Sequence, residues 1–177
     1  MKLGVCLEMF FTDRPFVKRI EAAGEAGCRF AEMWFTDMTA WKDGMRNDDG
    51  KDPAEIRAAT ERAGVVVTNA VIGSPDGGIG GGLTNPANRR QWLARTEQTL
   101  TFCKAAGIGA AIVCTGNVVA GRTPRQMWQS VVSGLEKTVK LAEEHGIDLW
   151  LETLTTKSII PTTSSRVRTR ERTSAGR

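Results

Sequence analysis

Residues 3–152 hold five short apolar runs, and a helical pattern separates each run from the next. The runs are 3–8, 30–35, 65–72, 110–114 and 147–152; the third, Val65 to Ile72, is continuous and rich in β-branched residues, as a strand buried on both faces should be. The helical stretches carry their own punctuation. Pro15 opens the first, in which Phe16, Ile20, Ala23 and Ala26 share a face until Gly27 ends it. Asp52-Pro53 supplies a capping acid and a first-turn proline for the second, and Ala63-Gly64 closes it. The third spans about 88–106. The fourth begins at Thr123-Pro124 and ends at His145-Gly146, with Met127, Val131, Leu135, Val139 and Leu141 at helical spacing.

A strand–helix–strand unit returns the chain to the same edge of a sheet, so this alternation demands parallel strands joined by right-handed crossovers. Two α/β architectures accept it, a doubly wound open sheet and a (β/α)8 barrel. A barrel normally takes ~250 residues. In the second case, 177 residues carry a little over half of one.

The pattern stops after residue 156. Residues 157–177 contain six basic side chains against Glu171 alone, eight Ser/Thr and no helical or alternating period. Such a composition cannot supply further core layers, so the reading is a folded unit at 1–156 and a disordered Ser/Thr/Arg-rich tail at 157–177. A more specific expectation, beside disorder, is that the abrupt change in mid-unit marks out-of-frame translation of a longer, truncated gene. The formal charge of +4 belongs to this tail, because 1–156 carries one more acid than base. That argues against a nucleic-acid-binding body. No run approaches ~18 apolar residues and no signal peptide is apparent, so the expected location is cytoplasmic, with no membrane partner. The four cysteines, Cys6, Cys28, Cys103 and Cys114, include no C-x-x-C pair and read as reduced core thiols.

Two glycine-rich stretches imitate nucleotide loops and fail on detail. In 77–82 no G-x-G-x-x-G window opens directly into a helix, and the stretch follows the third strand instead of the first. Gly116 to Thr123 matches a P-loop except that Arg122 stands where the lysine belongs, and a planar guanidinium does not reproduce an ammonium over the phosphates. His145 is the sole histidine and sits at a helix end, where it faces the negative pole of the dipole; triads built on histidine are excluded.

The acids at strand ends carry more. Glu8, Glu32 and Glu152 lie within or at the carboxyl ends of strands, and Asn69 interrupts the third run. Charge there is costly unless paired or metal-bound, and ligands of α/β folds gather at that end. For Glu8 and Glu32 a buried arginine or backbone partner is the competing explanation.

Met9-Phe10-Phe11-Thr12-Asp13 with Pro15-Phe16, then Glu25 to Phe35, Gly116-Asn117, and Leu151-Glu152-Thr153-Leu154-Thr155-Thr156 resemble, in order and spacing, the hydroxypyruvate isomerases among the xylose isomerase-like TIM barrels. The resemblance runs from residue 1 to about 157. It implies a partial (β/α)8 TIM barrel of about five parallel strands that interconverts hydroxypyruvate and tartronate semialdehyde through an enediol. It also implies a divalent metal, Mg²⁺ or Mn²⁺, at the mouth. The glutamate closing the fifth strand is then the first metal ligand and a catalytic residue, here Glu152. Glu32, Trp34, Asn69 and Asn117 fall on the substrate side. The family takes its other ligands from strands six to eight, which this sequence lacks, so metal binding by this chain is expected to be weak or absent. Thr155 replaces an expected asparagine, and 158–161 replaces a His-Pro-Gly-like loop.

The resemblance leaves an impaired aldose–ketose isomerase acting on a small hydroxy-carbonyl compound, a related sugar epimerase, or a non-catalytic barrel fragment or binding module. The open barrel edge would favour self-association. A DNA-repair nuclease of the endonuclease IV type shares the barrel, but its metal-binding histidines have no counterpart in a chain whose one histidine is His145.

Overall fold

The structure is a computed structural model that describes residues 3–35, 51–73 and 82–152. Five strands, β1 (Gly4–Cys6), β2 (Phe30–Trp34), β3 (Val66–Ile72), β4 (Ala110–Cys114) and β5 (Asp148–Glu152), form one sheet. Among the described residues four α-helices lie between them: α1 (Phe16–Glu25), α2 (Pro53–Ala63), α3 (Arg89–Ala106) and α4 (Pro124–His145). Every pairing is parallel, and the strand order is β1-β2-β3-β4-β5. That order separates the two architectures left open by the sequence. A doubly wound sheet reverses direction at a switch point. Here each strand is added on the same side of the last, as in a barrel wall. The tail at 157–177, the polar loop at 36–50 and most of the glycine-rich stretch at 77–82 lie outside the described residues.

Helix ends follow the sequence punctuation. Asp52 caps α2 by accepting from the backbone N–H of Ala54 at 2.7 Å and of Glu55 at 3.2 Å. Thr123 and Gln126 form a reciprocal capping box at the start of α4. Gly64, Gly107 and Gly146 end α2, α3 and α4 in the left-handed region, where a side chain is disfavoured.

One face of the sheet packs under the helices. Ala31 and Met33 of β2, Val67, Ala70 and Ile72 of β3, and Ala111 and Val113 of β4 are buried there with Ile20, Ile56, Trp92 and Leu100. The buried face of α4 differs from the apolar set read from its sequence. It consists of Ser130, Val131, Gly134, Thr138 and Ala142, while Val139 is exposed. Small residues four apart make a shallow groove, and α3 fills it with Trp92, whose indole Nε1 donates to Thr138 Oγ1 at 3.1 Å. Arg89 lies along the same groove and donates to the Ser130 carbonyl at 2.6 Å. His145, at the last turn of α4, meets Glu97 of α3 at 2.9 Å, so its helix-end position also serves an inter-helix contact. The cysteines are all free; Cys103 is buried, whereas Cys6, Cys28 and Cys114 are half-buried, which corrects the reading of all four as core thiols.

Candidate active site

The sheet face turned away from the helices holds Glu32, Trp34, Asn69 and Glu152 of the residues picked from sequence. Parallel register places Cys6, Glu32 and Asn69 side by side across β1, β2 and β3, and Trp34, Val71, Ile112 and Trp150 side by side across β2 to β5. At the carboxyl ends of β4 and β5, Cys114 is the register partner of Glu152. A polar row therefore lies beside an apolar and aromatic one.

Asn69 reaches this face because of a bulge. The β2–β3 register shifts between Ala31 and Glu32, so that Ala31 pairs with Val67 while Glu32 pairs with Asn69. Without the extra residue, Thr68 would oppose Glu32 and Asn69 would point under the helices, since side chains alternate along a strand. Thr68 secures the bulge by donating from Oγ1 to the Ala31 carbonyl at 3.1 Å, and its Oγ1 accepts from Asn69 Nδ2 at 3.0 Å. Asn69 is only 3% exposed, yet its Oδ1 has no hydrogen-bond partner. An unpaired buried carbonyl costs about 1–3 kcal/mol, which a bound polar group would recover. A cleft of 220 Å³ on the β1–β2 side of this face is lined by Gly4, Cys6, Phe30, Glu32 and Thr68 among others, Asn69 itself lying outside its lining.

Glu152 is exposed at the end of β5, and the Cys114 thiol donates to its Oε2 at 3.4 Å. Burial, and then the neighbouring carboxylate, push the Cys114 thiol up to about 12, so it stays protonated and acts as a donor. Asn117 is exposed in the loop after β4, with its carbonyl accepting from Thr84 Oγ1 at 2.6 Å. Gly82 allows that contact: a Cβ there would meet the Gly116 Cα at 2.7 Å. Arg122, in the P-loop-like segment, donates to the Gln126 carbonyl at 3.2 Å and to Ser130 Oγ at 3.1 Å, which turns its guanidinium onto α4.

Register thus makes Glu32 and Asn69 neighbours, with Trp34 two residues further along β2. It does not bring Glu152 against them, because β5 is three strands from β2 and neighbouring strands are about 4.8 Å apart. Among the described residues no three His, Cys, Asp or Glu side chains come together as a metal site. Glu152 offers one carboxylate, and its thiol neighbour is protonated. These residues do not by themselves fit a bound Mg²⁺ or Mn²⁺.

Of the partners considered for Glu8 in the sequence, the cation is a lysine and not an arginine, and the Trp34 backbone lies against it as well. Its carboxylate meets Lys51 Nζ at 2.7 Å, with both side chains fully enclosed. Burial pushes the Glu8 carboxyl above its ordinary value despite the lysine. Lys51 had no signal in the sequence, where it ends a polar loop, and Cys114 was read as core.

The profile of the family described as xylose isomerase-like TIM barrel matches residues 20–170. An inferred hydroxypyruvate isomerase of Streptomyces coelicolor is 27% identical over 156 residues, covering 86% of this chain and 54% of its own length. A 2-oxo-tetronate isomerase of Haemophilus influenzae is 24% identical, with coverage of 86% and 55%. The chain spans about half the length of these relatives. In fold it is similar to an AP endonuclease of family 2 from Brucella melitensis, at TM-score 0.70 and 17% identity, covering 88% of this chain and 57% of that one. It is also similar to 3-keto-D-glucoside 4-epimerase from E. coli, at TM-score 0.65 and 20% identity, with coverage of 85% and 55%. Among the described residues no helix is long and apolar enough to cross a membrane.

Proposed function

The chain belongs to the xylose isomerase-like TIM barrel family, and we propose that it carries the amino-terminal half of an aldose–ketose isomerase for small hydroxy-carbonyl acids, hydroxypyruvate being the first candidate. The observation that carries this reading is the polar row on the open sheet face, where the unpaired Asn69 Oδ1 stands beside Glu32, together with Glu152 at the end of β5. Isomerisation of hydroxypyruvate removes a proton from C3, passes through an enediol and returns a proton to C2, so no atom is gained or lost. Asn69 Oδ1 and the Glu32 carboxylate would accept hydrogen bonds from substrate hydroxyls, Trp34 would wall the apolar side, and Asn117 would lie at the rim. Closure of the barrel would have to bring Glu152 across the mouth towards the reacting carbons, where it could accept and return the proton. Relatives named for hydroxypyruvate and 2-oxo-tetronate support this substrate class.

In this reading residues 1–156 form the barrel unit and 157–177 an appended basic tail. A complete metal site would need ligands from outside the described residues, with Glu152 as one of them. Trp150 and Leu151 lie on opposite faces of β5 and are 48% and 51% exposed, so this strand would accept a neighbour from a longer parent chain or from another copy.

The test is a coupled assay of hydroxypyruvate and 2-oxo-tetronate with added Mg²⁺ or Mn²⁺, run on this chain and on a full-length relative. Turnover of either acid by the relative, and its absence or great reduction here, is the expected result. A full-length relative inert toward both acids but active on a sugar C3 or C4 centre would favour the epimerase reading.

A further inference from the structure

The β1–β2 ladder stops before the mouth of the fold is reached. Its last bond runs from the Leu7 N–H to the Glu32 carbonyl at 3.0 Å, after which the chain turns away, closing a tight turn from Met9 N–H to the Cys6 carbonyl. The Leu7 carbonyl is taken by Arg19 Nη1 at 3.3 Å. Alternation along β2 leaves the N–H and C=O of Trp34 facing β1, because Phe35 donates to Val71 on the opposite side. Both Trp34 groups would be unpaired where they are shielded from water, and that is costly.

Two side chains complete the ladder instead. The Glu8 carboxylate stands against the backbone N–H of Trp34, which favours its ionised form. Lys51 Nζ donates to the Trp34 carbonyl, meets Glu8 Oε1 at 2.7 Å and stands 4.3 Å from the centroid of the Phe16 ring. The side chains are 1% and 0% exposed. A buried ion pair contributes little to stability compared with apolar residues of the same size. Its directional bonds, however, fix one geometry. They converge on Trp34, whose register row continues through Val71, Ile112 and Trp150.

We propose that Glu8 and Lys51 are positioning residues for the mouth of the fold: together they replace the missing β1–β2 ladder and fix Trp34 as one wall of the substrate site. The second half of this statement rests on the isomerase reading; the first does not. The same pair draws the end of β1, the end of β2, the start of α1 and the residue preceding the α2 cap to a single point.

Amide hydrogen exchange by NMR separates positioning from general stabilisation. The chain is compared with Glu8→Gln, which keeps the volume, and with Lys51→Met, which keeps the aliphatic stem. In each, protection of the Trp34 amide is expected to fall about tenfold further than that of Val67 or Ala111 in the middle of the sheet. Equal loss at all three amides, or an unchanged Trp34 amide in Glu8→Gln, overturns the proposal; should Lys51→Met fail to fold, the Glu8→Gln result alone decides. Hydroxypyruvate is then titrated while the Trp34 indole N–H resonance is followed. It is expected to shift in the wild type and to shift less in Glu8→Gln. Local deprotection of Trp34 with an indole blind to hydroxypyruvate would sustain the ladder replacement and overturn the substrate-wall role.

Discussion

Gly134 sits in the middle of α4, where alanine would ordinarily stabilise a helix by about 1 kcal/mol. In this protein Gly134→Ala is expected to do the opposite. A Cβ at 134 would lie 1.5 Å from Arg89 Nη1, 2.6 Å from its Cζ and 2.7 Å from Leu83 Cδ2, so the guanidinium must leave the groove. Arg89 Nη2 would then lose the Ser130 carbonyl at 2.6 Å and the Leu83 carbonyl at 3.4 Å. A hydrogen bond from a charged donor is worth about 1.5–3 kcal/mol net, and the second, longer contact adds less. Setting that loss against the helix gain leaves a destabilisation of about 1–2 kcal/mol. For a domain of this size that lowers Tm by roughly 2–8 °C. Urea denaturation of the wild type, Gly134→Ala, Arg89→Ala and the double variant measures the coupling directly. In the Arg89→Ala background the alanine at 134 should cost less than about 0.5 kcal/mol or stabilise, Leu83 alone having to yield. A wild-type background in which Gly134→Ala raises stability would refute the packing argument. The effect should also reach the mouth, because the turn that Arg89 holds presents Thr84 Oγ1 to the Asn117 carbonyl.

Asn69→Leu should leave stability unchanged or raise it by about 1 kcal/mol, since it removes an unpaired buried carbonyl, while ligand binding at the polar row is lost; a large destabilisation would show the carboxamide to be structural. Asp52→Ala should cost about 1 kcal/mol by removing both cap bonds of α2, measured by thermal melting. Glu8 gives a pH signature whose sign follows from its raised carboxyl: the contribution is present below the ordinary carboxylate value and is lost as pH rises through the elevated folded one. Wild-type stability should therefore fall relative to Glu8→Gln on going from acid towards neutral pH. The groups facing it are Lys51, the Cys6 thiol, and Glu32 beyond that thiol, with Arg19 behind the Phe16 ring. A difference in unfolding free energy that does not change with pH would refute this assignment.

Element ends were legible because they are written locally. Asp52-Pro53, Thr123-Pro124 with Gln126, Gly64 and Gly146 each satisfy or terminate a helix with groups a few residues away. The strands were legible as continuous apolar runs, although β1 is shorter than the run from Leu3 to Glu8. What escaped depends on two segments at once. The bulge that turns Asn69 towards Glu32 exists only when β2 and β3 are paired, and no local signal marks Thr68 as the extra residue. Lys51 ends a polar loop, and a lysine in such a setting is normally solvated; only the turn of β1 after Cys6 makes a buried cation useful there. On α4 the apolar pattern named Val139, but the groove is made by small residues, whose burial reflects the size of Trp92 on another helix. Of the polar residues read at strand ends, Glu152 does end β5, but Glu32 and Asn69 lie in the middle of β2 and β3 and Glu8 lies in the turn after β1, so grouping them required the register.

The most direct test of the isomerase reading is the turnover of a full-length family member carrying Glu→Gln at the position of Glu152. Glu152 is exposed, so the same substitution in this chain should change its unfolding free energy by no more than about 0.5 kcal/mol. In the full-length protein, loss of a carboxylate that moves the proton should lower kcat at least about 100-fold with the fold intact by circular dichroism. Normal kcat on hydroxypyruvate in that variant would contradict the claim and leave Glu152 a solvated strand terminus.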